Sequence, residues 1–174
     1  MAQLSANQAD LFFSNHPGKV LSGDFQLILV CWNMKTPENL GSIIRTAANI
    51  GVKRILIIEE GESLNIVKLR RVARNLLKYV DIEYVDINDW QWNFGSDFVA
   101  VALETSPQSV NIYQTALPDK MALFLGNEQI GLPDDIISQC TLSVHIPMPG
   151  PVKSMNVSHA ASVAAFEWMR QKLF

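Results

Sequence analysis

The sequence predicts an α/β domain built on a mostly parallel sheet with helices on both faces. Three observations carry this reading. Gln26 to Trp32 is an unbroken apolar run, the pattern of a strand buried on both faces. Apolar runs then alternate with helical stretches, which implies crossover connections between parallel strands. Loops rich in glycine, proline and small polar groups follow the runs that end at Leu103, Leu125 and Ile146. Open parallel sheets bind ligands beyond the carboxyl ends of their strands, so these three loops are the place to look for a site.

The elements follow in order. Residues 1–24 are expected to form an N-terminal extension and residues 25–174 a single domain. Leu4, Leu11, Phe12 and Phe13 suggest a short first helix, closed by a turn at His16-Pro17-Gly18. After the first strand, Pro37 to Gly41 reads as a loop. Ser42 to Gly51 reads as a helix with Ile43, Ile44, Ala47 and Ala48 inward and Gly51 at its end. Lys53 to Ile58 is the second strand, completing a right-handed βαβ unit. Asn65 to Val80 reads as a basic helix carrying Lys68, Arg70, Arg71, Arg74 and Lys78. That face is either solvated or a phosphate-contacting patch. Ile82 to Ile87 is a third strand, and Trp90 and Trp92 beyond it suit a core or an interface. Strands are also expected at Asp97 to Leu103, Met121 to Leu125 and Thr141 to Ile146. A short helix at Asp134 to Ser138 and a terminal helical region from Ser154 to Phe174 complete the chain.

Composition excludes several classes. A chain of 174 residues suffices for one well-formed core. No apolar run reaches the roughly 18 residues of a membrane helix, and the N-terminus lacks the order of a secretory signal, so the cytoplasm is expected. Cys31 and Cys140 stand alone, and His16, His145 and His159 have no ligand spacing, so no metal site is expected. The net charge of −3 argues against a generally basic nucleic-acid binder but leaves room for a local patch.

The loops are more specific. The stretch after Gly126 lacks GxxxxGK[ST], and no GxGxxG follows the first strand, so neither a P-loop nor a standard dinucleotide site is supported. The stretch Ile146 to Ala160 is stiffened by Pro147, Pro149 and Pro151 and turned at Gly150. It delivers Ser154, Asn156 and Ser158 to the start of a helix, either as a binding wall or as a simple helix cap. Asn39 and Arg45 lie six residues apart and are expected to look toward one end of the sheet. The plainer reading of Arg45 is an ion pair, for which Glu128 is a candidate.

Three stretches together resemble the SpoU (TrmH-type) branch of the SPOUT RNA methyltransferases. The first is Asn33 through Pro37, Asn39, Gly41, Arg45, Ala47 and Gly51. The second is Gly126-x-Glu128-x-x-Gly131-Leu132. The third is Ile146-Pro147-Met148, Gly150 and Ser154-Met155-Asn156-Val157-Ser158, with Ala160 and Glu167 behind it. Order and spacing fit across about residues 26 to 170. Met155 stands where leucine is common, and the match loosens after Arg71, at Val72 to Lys78.

The resemblance implies a C-terminal deep trefoil knot, a homodimer, and S-adenosyl-L-methionine held in a bent shape by the knotted loops. It implies methylation of a ribose 2′-oxygen in RNA. By position, Leu103, Thr105, Gly126, Asn127, Ile146, Met148, Ser154 and Met155 would line the cofactor pocket. Arg45, Asn39, Glu128 and Asn156 would make the reaction centre. Lys68, Arg70, Arg71 and Arg74, with Lys53 and Arg54 as further candidates, would meet RNA. A guanidinium is a poor base, so Arg45 is expected to orient the ribose or its phosphate and to stabilise oxyanion charge; a base role would require strong desolvation. A chain with no separate RNA-binding domain resembles the minimal members that modify the anticodon wobble ribose, so tRNA is favoured. The alternatives are an rRNA target, a catalytically inactive RNA-binding dimer, and an unrelated nucleotide-binding enzyme.

Overall fold

The computed structural model describes residues 6–60, 73–90 and 94–174. Its centre is a seven-stranded sheet in which every pairing of named strands is parallel. The strands are β1 (Gln26–Trp32), β2 (Arg54–Glu59), β3 (Asp81–Asp86), β4 (Val99–Leu103), β5 (Val110–Asn111), β6 (Lys120–Leu125) and β7 (Leu142–His145). Their order across the sheet is β3-β2-β1-β6-β4-β7-β5. The described helices are α1 (Ala6–Asn15), α2 (Pro37–Ile50), α3 (Asp134–Gln139) and α4 (Val157–Leu173).

β1 shows why its sequence is apolar throughout. Leu27, Leu29 and Cys31 join the core beneath α2 and α4, while Ile28, Val30 and Trp32 join a second core containing Ile136 and Ile137 of α3. Alternate residues of a strand point to opposite faces, and here both faces are covered by helices. Burial pushes the Cys31 thiol well above its ordinary range, with Glu128 and Glu59 adding to the effect, so it stays an inert core thiol. Burial likewise pushes Cys140 up, to about 12. Among the described residues no His, Cys, Asp and Glu cluster could hold a metal ion, and no helix is long and apolar enough to cross a membrane.

Several boundaries differ from the sequence reading. α2 begins at Pro37, not at Ser42, because proline's fixed φ suits the first helical position and its missing N–H costs nothing there. Asn39 therefore sits in the first turn of a helix rather than in a loop. α2 ends as expected, with Gly51 in the left-handed conformation (φ 78°) and its N–H bonded to Ala47 O. β5 is a two-residue edge strand with no apolar pattern to announce it. The basic stretch does not continue as an α-helix to Val80. Arg74–Leu76 is a 3-10 turn, Tyr79 N–H bonds Leu76 O, and Asp81 N–H bonds Lys53 O as the chain enters β3. Trp90 is partly buried against the core, edge-on to Trp32 at 5.1 Å and to Phe124 at 5.7 Å between ring centroids. Trp92 lies outside the described residues.

The terminal helix α4 is fastened to the segment that leads into β6. Trp168 is fully buried and donates from Nε1 to Pro118 O (2.8 Å). Gln171 accepts from Leu117 N–H (2.9 Å) and donates to Thr115 O (3.1 Å). Lys172 donates to Leu117 O (2.6 Å) and Asp119 (2.7 Å). On the same helix, Arg170 holds the Glu167 carboxyl below the ordinary carboxylate range.

Candidate active site

β6, β4 and β7 are neighbours, so the loops that leave their carboxyl ends are neighbours too. Together with the start of α2 they enclose a cleft of about 600 Å³. All eight residues assigned to the cofactor line it: Leu103, Thr105, Gly126, Asn127, Ile146, Met148, Ser154 and Met155. So do Asn39, Glu128 and Asn156.

Those last three form one directed chain of hydrogen bonds. Glu128 Oε1 accepts from Asn39 Nδ2 (3.0 Å) and from Thr36 N–H (3.0 Å), and Oε2 accepts from Lys35 N–H (3.1 Å). Asn39 Oδ1 accepts from Asn156 Nδ2 (3.0 Å). Asn156 Oδ1 in turn accepts from Ser158 N–H (2.9 Å) and from Ser158 Oγ (2.6 Å). Asn156 therefore does cap α4, and the same side chain also belongs to the cleft: the cap and the binding wall are one residue. The carboxylate also sits against the N-terminus of α2, where helix dipoles favour negative charge.

Burial pushes the Glu128 carboxyl up, but the bond from Asn39 and then the backbone amides of Glu128 and Lys35 and the bond from Thr36 outweigh it, leaving the group below its ordinary range. The sign follows. A carboxyl whose folded pKa is depressed adds stability above its unfolded value, and that contribution disappears as pH falls through the lower folded value. Glu128→Gln is therefore expected to narrow the gap to wild type below roughly pH 4. Urea midpoints of both proteins at neutral pH and at pH 3.5 check this; an unchanged gap would sink it.

Arg45 is not brought into this group. It is exposed, does not line the cleft, and sits about 9 Å along the α2 axis from Asn39 on a different face. The ion pair suggested for it with Glu128 does not form, since Glu128 is held by Asn39 and backbone amides instead. Lys68, Arg70 and Arg71 lie outside the described residues, and of Arg74 only the backbone turn is described. Arg54 is paired with Glu83 at 2.8 Å. With Lys53 it lies at the amino end of the strands, about 17 Å along β2 from the edge that carries the cleft.

Seven cleft residues had no site role in the sequence reading: Gly131, Val157 and Ala160, which it named only within motifs, and Thr36, Glu104, His145 and Lys153. Glu104 and His145 carried a signal, each being polar at the carboxyl end of an apolar strand. His145 Nδ1 lies 2.9 Å from Ser109 Oγ, which is also within hydrogen-bond reach of Ser106 O (2.8 Å).

An α/β sheet with its cleft at the carboxyl edge, walled by glycine-rich and proline-rich loops, is a small-molecule-binding domain of the open parallel class. Residues 26–166 match the SpoU rRNA Methylase family, and the chain belongs to that family. It is 32% identical over 167 residues to the 23S rRNA (guanosine-2'-O-)-methyltransferase RlmB of Xylella fastidiosa (strain 9a5c), covering 87% of this chain. The chain spans 61% of that relative's length. A solved structure concerned with 2-OH methylation of C/U34 on tRNA is 30% identical, with a TM-score of 0.74 over 86% of this chain and 97% of the other. The AdoMet-bound rRNA methyltransferase from Sinorhizobium meliloti is 25% identical, with a TM-score of 0.76 over 86% of this chain and 57% of the other.

Proposed function

We propose that this protein methylates a ribose 2′-hydroxyl in RNA, with S-adenosyl-L-methionine as methyl donor and tRNA as the favoured substrate. The observation that carries the reading is the Glu128–Asn39–Asn156–Ser158 chain on the wall of a cleft of suitable size. A volume of about 600 Å³ lies within the range of small-molecule sites, and the lining fits the donor. Leu103, Ile146, Met148 and Met155 supply apolar walls, Thr105 and Ser154 hydroxyls, and Glu128 negative charge for a cationic ligand. Bound there, S-adenosyl-L-methionine would supply a methyl carbon activated by its sulfonium.

The chain's own residues would do the rest. The three loops hold the donor so that the ribose oxygen, the methyl carbon and sulfur can align, which accounts for much of the rate of such a displacement. The carboxylate of Glu128 has taken up three donors, so it fixes Asn39 and Asn156 rather than accepting the ribose proton. Arg45 orients the ribose or its phosphate and stabilises charge on the oxygen as the proton leaves. A homodimer gives exposed Arg45 a second active site to serve. We propose too that the C-terminal loops form a trefoil knot, that residues 1–24 are an extension of a single domain, and that the protein works in the cytoplasm. Lys68, Arg70, Arg71 and Arg74 contact phosphates.

The 30% identity to the structure concerned with C/U34 on tRNA, nearly the whole of which this chain covers, favours tRNA. The RlmB relative keeps rRNA as the second reading. The test is transfer of tritiated methyl groups to tRNA and rRNA taken from a strain lacking the protein. Alkali-resistant label in tRNA is the expected result. Label in rRNA alone moves the substrate, and no label in either removes the enzymatic reading.

A further inference from the structure

Glu104 ends no motif, yet its carboxylate joins two of the three loops that make the cleft. Oε2 accepts from Leu132 N–H in the loop after β6 (2.9 Å), and Oε1 accepts from Thr105 N–H in the loop after β4 (2.9 Å). The backbone of Glu104 is itself fixed to β7, through its N–H to Val144 O (3.0 Å). Glycine at 131 is what lets the carboxylate in: a Cβ there would lie 2.4 Å from Glu104 Oε2. Gly131 also closes the loop by exchanging backbone hydrogen bonds with Asn127 (3.1 and 3.0 Å). Thus the cleft-lining residues Leu103 to Thr105 and Gly126 to Gly131 are held at a set spacing by one side chain.

We propose that Glu104 is a positioning residue which clamps the loops after β4 and β6 together and thereby sets the affinity for the methyl donor. This rests on the donor reading given above. The clamp acts on the two loops that border the donor, so its loss is read first in donor affinity. A glutamine at 104 keeps the reach but turns an N–H₂ toward one of the two amides, so it satisfies only one of them. An aspartate keeps the charge but is one methylene short.

The experiment titrates S-adenosyl-L-methionine into the full chain by calorimetry, using wild type, Glu104→Gln, Glu104→Ala, Gly131→Ala and the double variant Glu104→Ala/Gly131→Ala. Glu104→Ala should raise Kd roughly tenfold or more, and Glu104→Gln should fall between it and wild type. In transfer assays the donor KM should rise by a larger factor than kcat falls, a split that general destabilisation does not produce. Gly131→Ala should cost less in the Glu104→Ala background than alone, because the collision is with the carboxylate; the strain of the left-handed backbone at 131 (φ 70°) is common to both. Hydrogen exchange at the Leu132 amide should quicken in Glu104→Gln without any ligand, which tests the clamp in a variant that retains the side chain's volume. Wild type that binds the donor while Glu104→Ala binds it equally well overturns this proposal alone. Wild type that binds no donor overturns the donor reading and the clamp's purpose with it.

Discussion

Gly126→Ala is expected to eliminate measurable donor binding and to destabilise the fold. A Cβ at 126 would lie 2.4 Å from Gly131 C, 2.5 Å from Leu132 N and 2.8 Å from Gly131 Cα. All three are backbone atoms, so no side chain can rotate away and the loop itself must move. Overpacking of this kind costs about 3 kcal/mol. For a chain of this length that lowers Tm by roughly 6–12 °C. The movement falls on the bridge between Asn127 and Gly131, and so on Glu128 and the hydrogen-bonded chain it anchors. Gly150→Ala is the control, since a Cβ there meets nothing within 4 Å. Thermal melts and calorimetric titration of both variants check the expectation; a Gly126→Ala protein that melts and binds like wild type would refute it.

Arg45→Ala is expected to lower methyl transfer by roughly a hundredfold to a thousandfold, the scale of losing one group that stabilises developing oxyanion charge. The accompanying silence in other assays is as informative. Arg45 is exposed and does not line the cleft, so donor affinity should stay within about twofold and Tm should barely change. Loss of activity with intact binding places Arg45 on the RNA side of the reaction. Full activity in Arg45→Ala would remove it from the mechanism. A pH–rate profile of wild type showing no ionisation near neutrality that Arg45→Ala abolishes would exclude a base role.

Much of this molecule was legible in the sequence, for identifiable reasons. β1, β2, β4 and β6 announce themselves because a strand buried on both faces needs side chains that are apolar without interruption. The cleft was legible because the topology of a parallel sheet puts loops after adjacent strands side by side, and these loops carried glycine and proline where they had to turn or stiffen. The start of α2 was placed five residues late because Pro37 to Gly41, read as a loop, is the first turn of the helix, with proline opening it. β5 was missed because two residues have no periodicity. Arg45 was expected to look toward the same end of the sheet as Asn39, but both lie on one helix, where six residues carry Arg45 to another face. Glu104 stood out only as a polar residue at the end of an apolar strand; its contact with Leu132, 28 residues further on, is recorded by no local pattern.

The middle of the sheet has a consequence in time. β1 pairs with β6 through Gln26 and Lys120, and β6 pairs with β4, so the central ladder joins segments made far apart in translation. The hooks that seat the approach to β6 come later still, from Trp168, Gln171 and Lys172. A nascent chain can assemble β1, α2 and β2 early, but the strand that completes its centre is secured only when the final turns of α4 leave the ribosome. Refolding should accordingly be slow for a domain of this size, limited by closure of long loops rather than by formation of helices.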